Sequence, residues 1–168
     1  MRFLIISDSH GDVDAISEAV RRRGGRDDGI LFLGDGIRDA EAVSSRERIP
    51  LFAVSGNCDM GGSLFGEDYK TELSLTFEGV KIFMTHGHLH GVSNDGIAAA
   101  DYARYRGADI LLFGHTHTKT DHGLPGDEGK KAIHIFNPGR ISRPRDGSAS
   151  FGTLEIKDGK FILGHGIL

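Results

Sequence analysis

Seven side chains of metal-binding type stand just beyond the ends of five apolar runs. Residues 3–6 lead into Ser7-Asp8-Ser9-His10, and 30–33 into Gly34-Asp35. Residues 51–54 lead into Gly56-Asn57-Cys58-Asp59, 80–84 into Thr85-His86-Gly87-His88, and 110–113 into Gly114-His115-Thr116-His117. Asp8, His10, Asp35, Asn57, His86, His115 and His117 together offer carboxylate oxygen, amide oxygen and imidazole nitrogen. Each pair is common by itself, and Gly34-Asp35 or Gly56-Asn57 alone reads as an ordinary turn. The set is informative because ligands in open α/β sheets bind outside the carboxyl ends of the strands. If the five strands share a rim, these side chains converge on it. A mixed nitrogen–oxygen donor set favours Mn²⁺, Fe²⁺, Co²⁺, Ni²⁺ or Zn²⁺ over Mg²⁺ and Ca²⁺, which prefer all-oxygen shells. Two such ions about 3.5–4 Å apart share a bridging carboxylate and a bridging hydroxide, and their charge offsets that of a phosphoryl oxygen.

The elements that must hold these residues follow from the pattern of apolar runs. Runs without polar interruption, such as 3–6 and 30–33, suit strands buried on both faces. Ala15, Ile16, Ala19 and Val20 recur at helical spacing and end in Arg21-Arg22-Arg23-Gly24-Gly25, a basic last turn with a glycine stop. A short helix is predicted over 38–46 and a second longer one over 92–106. Residues 61–68 read as a glycine-rich loop and 118–131 as a polar excursion. Glu78-Gly79 and Asp158-Gly159 mark hairpins between 73–77 and 80–84, and between 151–156 and 161–163. The front half is βαβαβ-like and the back half mostly hairpins, so the class is α/β with mixed sheets in one domain over 1–168.

Asp8-x-His10, Gly34-Asp35, Gly56-Asn57-x-Asp59, His86 and Gly114-His115-x-His117 resemble, in order and spacing, the calcineurin-like metallophosphoesterases. Gly56-Asn57-Cys58-Asp59, Thr85-His86-Gly87-His88, Asn137-Pro138-Gly139 and the short length are similar to the small bacterial and archaeal phosphodiesterase branch. The resemblance spans about residues 2–157. It implies a four-layer αββα sandwich, two mixed β-sheets flanked by helices. It implies two divalent transition-metal ions, Mn²⁺ foremost and otherwise Ni²⁺, Zn²⁺, Fe²⁺ or Co²⁺. Asp8, His10, Asp35 and His117 would hold one, and Asp35, Asn57, His86 and His115 the other. The implied activity is phosphodiester hydrolysis by a metal-bridging hydroxide. Cys58 departs from the larger phosphatases, where a histidine, an active-site acid, usually follows the metal-binding asparagine. A thiol with an ordinary pKa of about 8.5 is a poorer proton donor, which disfavours monoesters and favours diesters with good leaving groups.

Asn57, Cys58, Asp59 and His88 are thus the candidates for catalytic contact beyond the ligands, with Asp59 also readable as a turn acceptor and Arg140 as a phosphate clamp. His90, His122, His134 and His165 read as surface or structural histidines. The alternatives are a non-catalytic interaction scaffold of the same fold, as in the retromer scaffold subunit, and a phosphomonoesterase or phosphoprotein phosphatase. Composition narrows the partners. The 168 residues carry a net charge of −4, unlike a protein that neutralises nucleic-acid phosphates, so a small phosphoester substrate is expected and no extended nucleic acid. A single cysteine allows no internal disulfide, and no run approaches the ~20 apolar residues of a membrane span. The apolar N-terminus is too short for a signal peptide, so a cytoplasmic location without membrane contact is expected. A homo-oligomer through the 73–84 hairpin or the 61–68 loop stays open.

Overall fold

The computed structural model describes residues 1–60, 62–127, 129–143 and 148–168. Gly61, within the loop expected at 61–68, lies outside them. In chain order the elements are β1 (Arg2–Ile6), α1 (Val13–Arg22), β2 (Gly29–Phe32), α2 (Ile37–Glu47), β3 (Leu51–Ala53), β4 (Glu72–Phe77) and β5 (Val80–Thr85). They continue with α3 (Ile97–Tyr105), β6 (Ile110–Leu112), β7 (Lys119–Leu124), β8 (Ile133–Pro138), β9 (Ser150–Lys157) and β10 (Lys160–Ile167).

Two mixed five-stranded sheets form. One has the order β10-β9-β1-β2-β3 and the other β4-β5-β6-β8-β7. Each contains a parallel trio: β5-β6-β8 is the centre of the second sheet, flanked by antiparallel β4 and β7, while β1-β2-β3 forms one side of the first, where β9 pairs antiparallel with β1 and β10 with β9. Alternation along each strand explains why the runs are apolar throughout. Phe3 and Ile5 pack with Leu31, Ile82, Met84, Ile110 and Leu112 between the sheets. Leu4, Ile6, Ile30 and Phe32 point the other way, under Ala15, Ile16, Ala19 of α1 and Ala40, Val43 of α2. Phe83, Leu111 and Phe113 cover the outer face of the second sheet beneath Ala99, Ala100 and Ala103 of α3. The layers are therefore helix, sheet, sheet, helix. Burying such a side chain contributes about 1.5–3 kcal/mol, against about 0.2–1 kcal/mol for a cross-strand pair. Burial on both faces, more than pairing, selects which strands are central.

Local signals match in most places. Asp12 caps α1 by accepting from the Ala15 N–H at 3.0 Å, and Gly24 follows the helix at φ 69°. Glu78-Gly79 and Asp158-Gly159 both have positive φ at both residues, the geometry of tight hairpin turns. Two expectations change. The helix expected from residue 92 begins at Ile97. Asp95 Oδ1 accepts from Ser93 Oγ at 2.7 Å and from the Ile97 N–H at 3.1 Å, while Gly96 takes φ 69° against Phe113, where a Cβ would sit 2.6 Å from the ring. The polar excursion contains β7, an edge strand with only Thr120 buried. Exposed Lys119 and Asp121 keep its open edge from pairing further. No helix among the described residues is long and apolar enough to cross a membrane.

Candidate metal centre

The parallel trios run in the same sense, so their carboxyl ends open onto one rim. The hydrogen-bond ladder continues past the strands into the motif loops. The Asp8 N–H reaches the Gly34 carbonyl at 3.0 Å, that of His10 reaches Asp35 at 3.1 Å, and that of Gly114 reaches His86 at 3.1 Å. Further bonds tie the sheets to each other here. His86 Nδ1–H donates to the Leu33 carbonyl at 2.7 Å, and the His115 N–H donates to Asp8 Oδ2 at 3.2 Å. Glycines make the approach possible. A Cβ on Gly56 would collide with the Asp35 carboxylate, and one on Gly114 with Ser7 Oγ. Gly56→Ala is accordingly expected to displace Asp35, to cost about 1–3 kcal/mol of stability and to weaken metal uptake. Denaturant unfolding and metal titration of the variant check both effects.

Asp8, Asp35 and His86 form a buried floor, and His10, Asn57, His115 and His117 an exposed rim. Ligand-type atoms of Asp8, His10 and His117 lie within 4.8 Å of one another, as do those of Asp8, Asp35 and His86, and those of His10, Asp35 and Cys58. The His10 and His117 Nε2 atoms are 3.4 Å apart, and His117 Nε2 is 3.2 Å from Asp8 Oδ1. His86 Nε2 is 3.1 Å from Asn57 Oδ1 and 3.5 Å from Asp35 Oδ2. The His115 ring lies 5.1 Å from the His86 ring, centroid to centroid, and 6.3 Å from that of His88. All seven expected ligands, together with His88, thus gather at one place.

The electrostatics of this cluster fit a cation. Asp8 and Asp35 are 0% and 3% exposed, and among the described residues their ion-pair partners are histidines only. Asp8 Oδ1 is buried without a hydrogen-bond partner. Buried carboxylates so placed are costly without a compensating charge. With Nδ1–H of His86 spent on Leu33, a neutral ring turns a lone pair toward the Asn57 and Asp35 oxygens, so a proton or a cation must lie between them. Burial pushes the pKa of His86 down, but Asp35, Asp8 and the Leu33 carbonyl outweigh this and raise it above the usual 6.5. Burial also pushes Asp35 up, and His86 and the Cys58 N–H together hold it well below the usual carboxylate range. His88 is lowered by burial and by the neighbouring His86 and His115. The Cys58 thiol is raised by its hydrogen bond to Asp35, by burial and by the charges of Asp35, Asp59 and Asp8.

Backbone conformation concentrates at the same residues. Among the described residues eight other than glycine have positive φ, and Asp8, His10, Asp35, His115 and His117 are five of them. Such conformations cost about 1–3 kcal/mol each where they are sparsely populated and cluster at functional sites. Asp59 supports this geometry. Its Oδ2 accepts the Asp35 and Gly56 N–H groups at 2.8 Å, and its Oδ1 those of Gly36 and Ile37 at 2.8 and 2.9 Å. That carboxylate caps α2 from a neighbouring loop, because Gly36 has no side chain to do so.

Ser9 and Asp39 form a brace that sequence reasoning missed: Asp39 Oδ2 accepts from Ser9 Oγ at 2.6 Å and the Gly11 N–H at 2.8 Å. An acidic residue in the first turn of a helix was the only available signal. Arg38 was missed too. It lines, with His10, Asp35 and Cys58, a cavity of about 250 Å³ beside the cluster. A roomier groove of about 550 Å³, lined by Leu124, Ile133, His134 and Phe161, lies at the other end of the sheets, away from the ligand loops. Arg140 is half-buried, in a segment whose next two N–H groups bond the Ser7 and Asp8 carbonyls. His90, His134 and His165 have partners of their own in Glu72, Asp121 and the Asn137 carbonyl.

A fold with two facing sheets and a histidine–aspartate rim defines a metallophosphoesterase-type protein. The family model of the calcineurin-like phosphoesterase superfamily domain matches residues 1–159, and the chain belongs to that family. It is 35% identical over 145 residues to the probable metallophosphoesterase YsnB of Bacillus subtilis, covering 86% of this chain and 78% of that protein. It is 30% identical over 176 residues to phosphodiesterase YfcE of Escherichia coli, covering 92% and 88%. Among solved structures, Vps29 of Entamoeba histolytica complexed with Zn²⁺ superposes with a TM-score of 0.73 at 22% identity, covering 99% of both chains, a likeness of fold.

Proposed function

We propose that this chain is a dinuclear metal-dependent phosphodiesterase. The observation that carries the reading is the pair of buried carboxylates, Asp8 and Asp35, faced by imidazoles and left without a lysine or arginine partner among the described residues. Asp8, His10, Asp35 and His117 would hold one divalent ion and Asp35, Asn57, His86 and His115 the second, with Mn²⁺ the first expectation. Bound there, the ions would supply the Lewis acidity that ionises a water near neutral pH and offsets phosphoryl charge.

The chain's own residues do the rest. Asp35 is the residue that would serve both ions, since its two oxygens face different neighbours, the Cys58 N–H at 2.8 Å and His86 at 3.5 Å. Asn57 adds a ligand oxygen without adding negative charge next to an anionic substrate. The Ser9–Asp39 brace and Asp59 hold the loops against their unfavourable φ values. Cys58 stands at the cavity with a raised pKa, and so gives little help to a poor leaving group. That supports diesters with good leaving groups, and the likeness to a phosphodiesterase points the same way. A cavity of about 250 Å³ suits a small ester better than a phosphoprotein or a nucleic-acid strand.

A substrate panel with several divalent metals tests this reading. Bis-p-nitrophenyl phosphate and 2′,3′-cyclic nucleotides are expected to turn over faster than p-nitrophenyl phosphate, and only with metal. The other reading is a non-catalytic interaction scaffold of the same fold; purified protein that retains no transition metal, hydrolyses nothing and holds one stable partner would establish it. Metal affinity is also expected to depend on pH. Proton and cation compete for His86 Nε2, and its pKa is raised, so affinity is full above that value and falls as pH drops through it. A loss of about tenfold per pH unit is expected for one displaced proton, read by calorimetric titration between pH 8 and pH 5.5. A flat profile would count against His86 as a ligand.

A further inference from the structure

The Asn137-Pro138-Gly139 motif has no part in the chemistry above. We propose that Asn137 is the positioning residue for the turn that carries His115 and His117, and that its side-chain amide holds both rings in the geometry that takes metal. The proposal rests on the metal-site reading for its consequence, though the positioning itself concerns only this chain.

Asn137 sits at the end of β8 and is 0% exposed. Its Nδ2 donates to the Gly114 carbonyl at 3.0 Å and to Thr116 Oγ1 at 3.1 Å, and its Oδ1 accepts the Gly139 N–H at 2.9 Å. A carbonyl can only accept and a backbone N–H can only donate, so the orientation of the amide is forced. Gly114 and Thr116 stand on either side of His115. The amide therefore grips the turn before and after the ligand.

The turn needs such a grip. The Thr116 N–H returns to the Gly114 carbonyl at 2.7 Å, closing a three-residue turn with His115 at its centre and φ 67°. His117 follows at φ 59°. Three-residue turns with positive φ at the centre are rare and strained, and persist only where their surroundings over-determine them. Extra room cannot relax this one, since Gly114 is packed against Ser7 Oγ and Asp8 Oδ2. Asn137 satisfies the second lone pair of the Gly114 carbonyl and fixes the Thr116 hydroxyl, which also takes the Thr118 N–H at 3.4 Å. Asparagine is required, because an aspartate would set a carboxylate oxygen against the Gly114 carbonyl, which can only accept.

The test uses the full chain with Asn137→Asp, which keeps size and removes both donors, and Thr116→Val, which removes one acceptor and leaves β8 intact. In metal-free protein, ring ¹⁵N–¹H correlation spectra are expected to move for His115 and His117 while His90 and His134, paired elsewhere with Glu72 and Asp121, hold. In Mn²⁺ titrations both metal equivalents are expected to weaken in Asn137→Asp, about 10–100-fold as for other outer partners of metal ligands, and less in Thr116→Val. Unmoved His115 and His117 signals in a folded variant overturn the proposal, as does a shift spread over all the histidines. If Asn137→Asp does not fold, Thr116→Val decides on the same spectra. A wild-type chain that binds no metal would end the functional reading, yet the metal-free spectra would still judge the positioning.

Discussion

Asp35→Asn is expected to abolish phosphodiester hydrolysis while leaving the fold in place. The asparagine keeps the size of the side chain and one oxygen to accept the Cys58 N–H, now made at 2.8 Å. What it loses is the second anionic oxygen, turned toward His86 at 3.5 Å, and with it the only ligand assigned to both ions. Outer partners of metal ligands alone cost 10–100-fold in affinity or activity, so removal of a bridging ligand is expected to exceed about 100-fold. The buried negative charge at this floor falls by one, so metal-free protein is expected to melt within a few degrees of wild type. The measurement is hydrolysis of bis-p-nitrophenyl phosphate by Mn²⁺-loaded protein, with bound metal determined in the same samples. Equal rates for variant and wild type would sink the dinuclear mechanism. A shared loss of rate and folding would instead show Asp35 to be structural, which the melting curve separates.

Both the gathering of the candidate ligands and the two-sheet core were legible because the same physics wrote them. A parallel strand buried on both faces has no place for a polar residue, so the runs at 3–6, 30–33 and 110–113 stop abruptly where the chain leaves the core. Asp8, Asp35 and His115 lie just past those stops. β7 was not legible, since an exposed edge strand with Thr120 alone buried carries no apolar run. The start of α3 was misplaced because alanine spacing continues the helical pattern toward Val92, while Asp95 and Gly96 end it through bonds and close contacts that spacing does not encode. The strain at the site was silent for another reason. Positive φ is announced by glycine, but nothing in an aspartate or histidine reveals that Asp8, His10, Asp35, His115 and His117 adopt it. The Ser9–Asp39 brace and the four bonds to Asp59 join residues more than twenty positions apart, apart from the local bond to Gly56, and the distant ones exist only once β1, β2 and β3 have paired.

Cys58 links that geometry to substrate choice, and Cys58→His is the substitution expected to change it most. The thiol is exposed at the cavity, its N–H bonded to Asp35, and its pKa is raised by that carboxylate, by burial and by Asp59 and Asp8. A thiol so raised is a weaker general acid than an imidazolium, and gives an alkoxide leaving group less help during bond cleavage. A diester with a p-nitrophenolate leaving group needs no such help, whereas an alkyl monoester does. An imidazole at the same position would titrate near 6.5 when unperturbed, and the same carboxylates that raise the thiol would favour the imidazolium. General acid catalysis contributes about 10²–10⁴-fold where a proton donor is well placed. Cys58→His is therefore expected to raise kcat/KM for alkyl monoesters by at least about tenfold, the lower figure allowing for an unoptimised ring position. Bis-p-nitrophenyl phosphate should change little, because its leaving group is already stable as an anion. The gain should also carry a new alkaline limb: activity on monoesters falls as pH rises through the histidine's pKa, while the diester profile keeps its wild-type shape. Parallel pH–rate profiles on the two substrates measure this. A variant that gains nothing on monoesters, or gains equally on both esters, would show that proton donation at residue 58 does not set the preference.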